Sequence, residues 1–176
     1  ARGVQRAEVT LHVGYGTFKP VTADRVEDHV IDPERFIVTA DAAVALTRAH
    51  QQGRRIVAVG TTSVRTLESL AVDADGVVVP VSGETLLFIR PGHRFHLVGG
   101  MITNFHLPRS SLLLLVSAFV GRERVLAAYR EAIGNGYRFY TSSNKGFAPV
   151  FTWLPDVGAP QRGTIHLPAY PVHEYR

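Results

Sequence analysis

The sequence predicts an α/β domain, built on a largely parallel sheet or a distorted, barrel-like one, with flanking helices. Three observations predict it. The apolar run Arg55-Ile56-Val57-Ala58-Val59 leads through a glycine into helical periodicity, as a strand buried on both faces of a parallel sheet would. A second strand-like stretch, ending at Met101-Ile102-Thr103, leads in the same way into a leucine-rich helix. Between and around them, strand and helix patterns alternate, the order that parallel sheets require.

Taken in order, Val9-Thr10-Leu11-His12-Val13 alternates at period two and reads as a strand. Gly14-Tyr15-Gly16-Thr17 breaks it, and its small residues allow backbone to come close to a ligand. It is no dinucleotide fingerprint, because the third glycine and the following helix are missing. Residues 24–36 are charged, with His29, Asp32 and Glu34 close together. Pro33 breaks the spacing that a metal site on a helix would use, so a solvated loop is expected. Phe36-Ile37-Val38 reads as a short strand. Thr39 or Asp41 then caps a helix to about Gln52, with Val44, Ala45 and Ala49 on one face and Gly53 closing it.

Gly60-Thr61-Thr62-Ser63 follows the apolar strand and opens a helix over 64–70. Free N–H groups and the positive end of the helix dipole make this an anion or polar-ligand site, although a plain helix cap needs only one of the three hydroxyls. The long glycine-rich span and lysine of a Walker loop are absent. Val77-Val78-Val79 follows a turn at 74–76, and residues 84–89 and residues 95–98 are expected strands, with His93 and His96 exposed on polar ground.

Residues 101–121 join two chemistries. Asn104 and His106 stand between apolar neighbours, Pro108 stops the stretch, and Ser110 or Ser111 caps a leucine helix that can only be content in a core. Sheet-edge sites are built from such corners, and so are corners around a satisfied core histidine. A further helix covers 123–133, with Val125, Leu126, Tyr129, Ala132 and Ile133 on one stripe, and 137–140 reads as a last short strand. Residues 1–140 thus form the α/β unit. The remaining 36 residues hold five prolines, three glycines and the only tryptophan without periodicity, and are expected to be irregular or disordered.

Composition narrows the classes. The chain has 176 residues, long enough for one sizeable core, and 45% hydrophobic against 19% charged residues is ordinary for a globular protein. It has no cysteine, which excludes disulfides and thiolate metal sites and fits a cytoplasmic location. No apolar run is long enough to span a bilayer, so no membrane partner is expected. A net charge of +4, carried almost wholly by arginine, permits a polyanion partner without requiring one.

Three blocks in register resemble one family: residues 9–18, residues 58–69 and residues 102–108 with the leucine helix. Together they are similar to the S-adenosylmethionine:tRNA ribosyltransferase-isomerases of queuosine biosynthesis, over roughly residues 1–140. The resemblance implies transfer and isomerisation of the ribosyl part of S-adenosylmethionine onto 7-aminomethyl-7-deazaguanine in tRNA, giving epoxyqueuosine. S-adenosylmethionine is then a consumed substrate, with no cofactor and no metal, and tRNA is the partner. His106 and His12 are the implied catalytic bases. Gly14, Gly16, Thr17, Gly60, Thr61, Thr62, Arg65 and Asn104 are the implied substrate-binding residues, Arg65 pairing a carboxylate or an RNA phosphate. Family members are about twice as long, so an N-terminal half, or a partner supplying it, is expected to be missing. Asp32 stands where many members have histidine. The sequence after Tyr140 departs from the family ending, as a shifted reading frame would make it do. Two other readings are a non-catalytic RNA-binding or scaffold fragment and an unrelated α/β enzyme for a phosphorylated ligand.

Overall fold

The computed structural model describes residues 3–14 and 20–137, together with the backbone of two strands at 150–153 and 161–164. Seven strands and four helices are described: β1 (Val9–His12), β2 (Glu34–Val38), α1 (Ala40–Gln51), β3 (Ile56–Val59), α2 (Thr61–Glu68), β4 (Val81–Thr85), β5 (Val98–Ile102), α3 (Ser111–Val120), α4 (Arg122–Gly134), β6 (Val150–Trp153) and β7 (Gln161–Thr164).

The α/β class holds, but the sheet is not largely parallel. Among the described strands β1, β2 and β4 pair antiparallel in the order β1-β2-β4, and only β3 and β5 run parallel. No barrel-like closure joins these separate sheets among the described residues. Of the tail expected to be irregular, two strands are described, β6 and β7, paired antiparallel. The final strand expected at 137–140 falls largely outside the described residues.

Local signals account for most of the elements. Thr39 Oγ1 accepts the Ala42 N–H at 3.3 Å and starts α1, and Ser110 Oγ accepts the Leu113 N–H at 3.2 Å and starts α3. Gly121, at φ +89°, divides α3 from α4, a conformation that a side chain would strain. Thr47 of α1 holds the segment Val77–Val79 at its centre. Its Oγ1 accepts the Val78 N–H at 2.9 Å and donates to the Val78 carbonyl at 3.3 Å. The expected strand at 84–89 is displaced to β4, and that at 95–98 begins only at Val98 as β5.

Phe36, Val38, Leu46, Val64, Leu67, Ile89, Val98 and Leu115 form one core, drawn from β2, α1, α2, β5, α3 and the segment after β4. Each such burial contributes about 1.5–3 kcal/mol. Two expectations of full burial fail at its rim. Val57 and Val59 of β3 are 46% and 63% exposed, because only one face of the β3–β5 pair is covered among the described residues. Of the leucine helix only Leu112 and Leu115 are fully buried, one turn apart on the inward stripe.

Candidate active site

The parallel pair places two of the motifs side by side. Val59 pairs with Ile102 at the C-terminal end of β3 and β5, and the Gly60 N–H donates to the Ile102 carbonyl at 2.8 Å. The turn of Gly60 into α2 and the loop of Thr103 to His106 therefore leave the same sheet edge together. Gly60 is the N-cap of α2 at φ +92° and has no side chain to cap it, and among the described residues no side-chain cap bond is made there. The hydroxyls of Thr61, Thr62 and Ser63 are thus not spent on capping, and the first-turn N–H groups carry the positive end of the helix dipole. Thr61 is buried, whereas Gly60, Thr62 and Ser63 are half-buried.

His106 is held on three sides. Its Nε2 lies 3.0 Å from Thr103 Oγ1, its N–H donates to the Tyr129 hydroxyl at 2.5 Å, and that hydroxyl donates to its carbonyl at 2.8 Å. Phe105 meets the same Tyr129 ring edge-on at 4.9 Å. Burial pushes the His106 imidazole down from about 6.5 to about 4. At neutral pH the ring is therefore uncharged, the form in which it can accept a proton or take either hydrogen-bonding role at Nε2. Asn104 is exposed beside it. The turn that follows has Arg109 at φ +60°, an uncommon conformation for a residue with a Cβ, immediately before the Ser110 cap.

Arg65 is not available as the ligand-binding group expected of it. Its side chain is 7% exposed, its Nη1 lies 2.8 Å from Glu34 Oε2, and its Nε donates to the Leu87 carbonyl at 2.9 Å. Glu34 correspondingly leaves the solvated loop expected around it and begins β2 in the core. Burial pulls the Arg65 guanidinium down, and the Glu34 carboxylate opposes that shift. Beside the pair, hydroxyls form a chain of one sense. The Leu87 N–H donates to Thr85 Oγ1, Thr85 to Ser69 Oγ at 2.5 Å, and Ser69 to the Arg65 carbonyl.

The other end of α2 is fixed by Glu68, whose side chain is fully buried. Its carboxylate accepts the N–H groups of His96, Leu97 and Val98 at 2.8–3.0 Å, with His93 Nε2 and His96 Nδ1 also within 3.3 Å. Burial works to raise its pKa, but the three backbone donors and His96 outweigh burial and hold it below the ordinary carboxylate value. His96 is exposed, as expected, whereas His93 is half-buried, and both rings reach Glu68. Helix α2 is thus tied to β2 and to the segment after β4 through Arg65, and to the start of β5 through Glu68. This sets the angle at which its N-terminus meets the His106 loop.

Of the remaining sequence candidates, two are described on β1 and just after it, and two fall outside the described residues. His12 is exposed at the end of β1, opposite Arg35 of β2. Gly14 is described and exposed, while Gly16 and Thr17 fall outside the described residues. The chain returns beside the loop all the same: Pro20 bridges Ser110, and the Val21 N–H donates to the Arg109 carbonyl at 2.7 Å. Among the described residues no group of three or more acidic or histidine side chains is placed to hold a metal ion. Tyr129 and Glu68 were missed as functional candidates. The helical stripe had marked Tyr129 as a packing residue, and a lone glutamate in a helix carries no signal of its distant partners.

Residues 1–142 match the family described as queuosine biosynthesis protein. The chain belongs to that family. It is 56% identical over 140 residues to the S-adenosylmethionine:tRNA ribosyltransferase-isomerase of Heliobacterium modesticaldum, covering 80% of this chain and 41% of the relative. It is 60% identical over 141 residues to the enzyme of the same name from Anaeromyxobacter dehalogenans, covering 80% and 40%. The crystal structure of S-adenosylmethionine tRNA ribosyltransferase from Thermotoga maritima superposes with a TM-score of 0.61 at 43% identity, over 80% of this chain and 43% of that one. The chain therefore spans about two-fifths of the length of these relatives. All three motif blocks fall inside the family match.

Proposed function

We propose that this chain carries the ribosyl-transfer site of an S-adenosylmethionine:tRNA ribosyltransferase-isomerase. The observation that carries the reading is the pairing of an uncapped α2 N-terminus at Gly60-Thr61-Thr62 with the neutral, fixed His106 at one sheet edge, inside the segment that matches the family. S-adenosylmethionine is consumed as a substrate, without a further cofactor. Its ribosyl part passes to 7-aminomethyl-7-deazaguanine in tRNA and is isomerised to an epoxycyclopentane, with adenine and methionine released, in the cytoplasm where the tRNA is.

The residues fit roles in that chemistry. The sulfonium acidifies the neighbouring C5′ protons, so the step needs a base in its unprotonated form. His106 is in that form at neutral pH, although a ring of such low basicity holds an abstracted proton weakly. His12 is the second candidate, from the block whose return at Pro20 lies against the same loop. The α2 N–H groups and the hydroxyls of Thr61 and Thr62 suit the methionine carboxylate or the ribose hydroxyls, and Asn104 suits a base edge. Arg65 has no such role here. It sets the helix that presents them.

The part of the relatives' length outside the match, or a partner supplying it, completes the site in this reading. The test mixes the chain with S-adenosylmethionine and precursor tRNA and follows adenine release, with and without the N-terminal portion of the Heliobacterium enzyme. Slow release by the chain alone and faster release on complementation are expected. Absence of release in both mixtures, with no binding of S-adenosylmethionine, would overturn the reading. Binding of tRNA without release under complementation would leave a non-catalytic RNA-binding fragment instead.

A further inference from the structure

We propose that Tyr129 is a positioning residue for His106, acting from α4 as a two-point latch on the backbone of the catalytic loop. The inference rests on the reading of His106 as a catalytic group, and it adds a residue from outside all three motif blocks.

The geometry is specific to a phenol. A tyrosine hydroxyl has one proton to donate and lone pairs to accept with, and here both are spent on one residue. It accepts from the His106 N–H and donates to the His106 carbonyl, across 23 residues of sequence. The ring below meets Phe105 edge-on, so one side chain holds two consecutive loop residues. Burial raises the Tyr129 pKa, and the His106 backbone bond opposes this only in part. The phenol therefore keeps its proton, and with it the donor half of the latch, across the neutral range.

The loop needs such a device. Residues 103–107 belong to no helix or strand, so their backbone groups have no regular ladder to satisfy them. The aim of an imidazole follows the backbone that carries it, and a displacement of about 1 Å at a reacting group can cost about a hundredfold in rate. Thr103 fixes the ring at Nε2 and Tyr129 fixes the main chain beneath it. A tyrosine that merely packed α4 onto the domain would have no need to point its hydroxyl at both polar groups of one loop residue.

The test is Tyr129→Phe, which keeps the ring and its edge contact and removes only the oxygen. In the intact chain, amide exchange at His106 is expected to quicken at least about tenfold. The imidazole titration, followed by nitrogen-detected NMR, is expected to move up from about 4 towards the ordinary value near 6.5. Exchange at Leu115, in the core of α3, should stay within about twofold of the parent. Unchanged exchange and titration at His106, or equal acceleration at Leu115, would overturn the inference.

Neither readout needs turnover, so both decide the role of Tyr129 even where adenine release fails in the parent and the functional reading falls. Where the complemented parent does release adenine, Tyr129→Phe should lower kcat about tenfold or more with KM for S-adenosylmethionine nearly unchanged. An unchanged kcat there would overturn the latch and leave the functional reading standing.

Discussion

Arg65 and Glu34 form a buried ion pair, Nη1 to Oε2 at 2.8 Å, that joins the helix presenting the proposed substrate groups to the central strand of the antiparallel sheet. The pair is 7% and 3% exposed, so neither charge has water to fall back on. Removing one partner leaves the other stranded, which typically costs about 3–5 kcal/mol. Glu34→Ala and Arg65→Ala are each expected to lose stability of that order. Replacing both with apolar residues of similar volume, as Glu34→Leu with Arg65→Met, should cost less than either single change. Urea unfolding of the four proteins checks this, and an additive double variant would contradict it.

The acid response of the fold has two windows. The folded-state pKa of His106 is lowered from about 6.5 to about 4 by burial, so between those values the unfolded chain binds a proton that the folded one refuses. Stability therefore falls as pH drops from about 6.5 to about 4, by an amount on the order of 2 kcal/mol. Glu68 is also depressed, from an ordinary value of 4.5, and its contribution is present above that value and lost as pH falls below it. His106→Gln should flatten the upper window alone, and Glu68→Gln the lower. Unfolding midpoints measured across both windows check the separation.

Thr66 carries a hydroxyl buried in the core with no hydrogen-bond partner among the described residues. It is 1% exposed, so the unmet group pays its desolvation in full. Thr66→Val preserves the branched shape and removes the polar atom. The expected result is a gain of about 1 kcal/mol in unfolding free energy. A loss of that size would mean that the hydroxyl finds a partner, such as a buried water, after all.

Much of this architecture was legible in local chemistry. The Thr39 and Ser110 caps, the glycine before α2 and the helix-stopping Gly121 each act within a few residues of themselves, so pattern alone located the glycines and narrowed each cap to two candidates. The pairing of strands was not legible. Period-two alternation marks β1 as a strand but carries no information on whether its neighbour β2 runs with or against it. The apolar run of β3 likewise could not say that the face bearing Val57 and Val59 would be left open. Partners far apart in sequence were the other loss: Arg65 finds Glu34 at a separation of 31, and Glu68 finds the 96–98 backbone at 28 to 30. In the site, the adjacency of Gly60 and Thr103–His106 followed from two parallel strand ends, which the motifs did foreshadow. The hydroxyl of Tyr129 did not, because a helical stripe cannot show which end of an amphipathic ring is spent on packing and which on polar contact.

Thr103 and His106 offer the sharpest test of what the loop does. Thr103 Oγ1 lies 3.0 Å from His106 Nε2, and a neutral imidazole presents one donor and one acceptor nitrogen, so this contact biases which nitrogen keeps the proton. Thr103→Val is nearly isosteric and removes the oxygen. The half-buried Nε2 then loses a partner, for a stability cost of about 1 kcal/mol. In the complemented enzyme a freed ring should lower kcat for adenine release about tenfold while KM for S-adenosylmethionine stays close to the parent value. Thr103→Ser keeps the hydroxyl without the methyl and should recover most of the rate. Equal losses in the valine and serine variants would assign Thr103 to packing, and would leave the His106 ring to be aimed by its backbone alone.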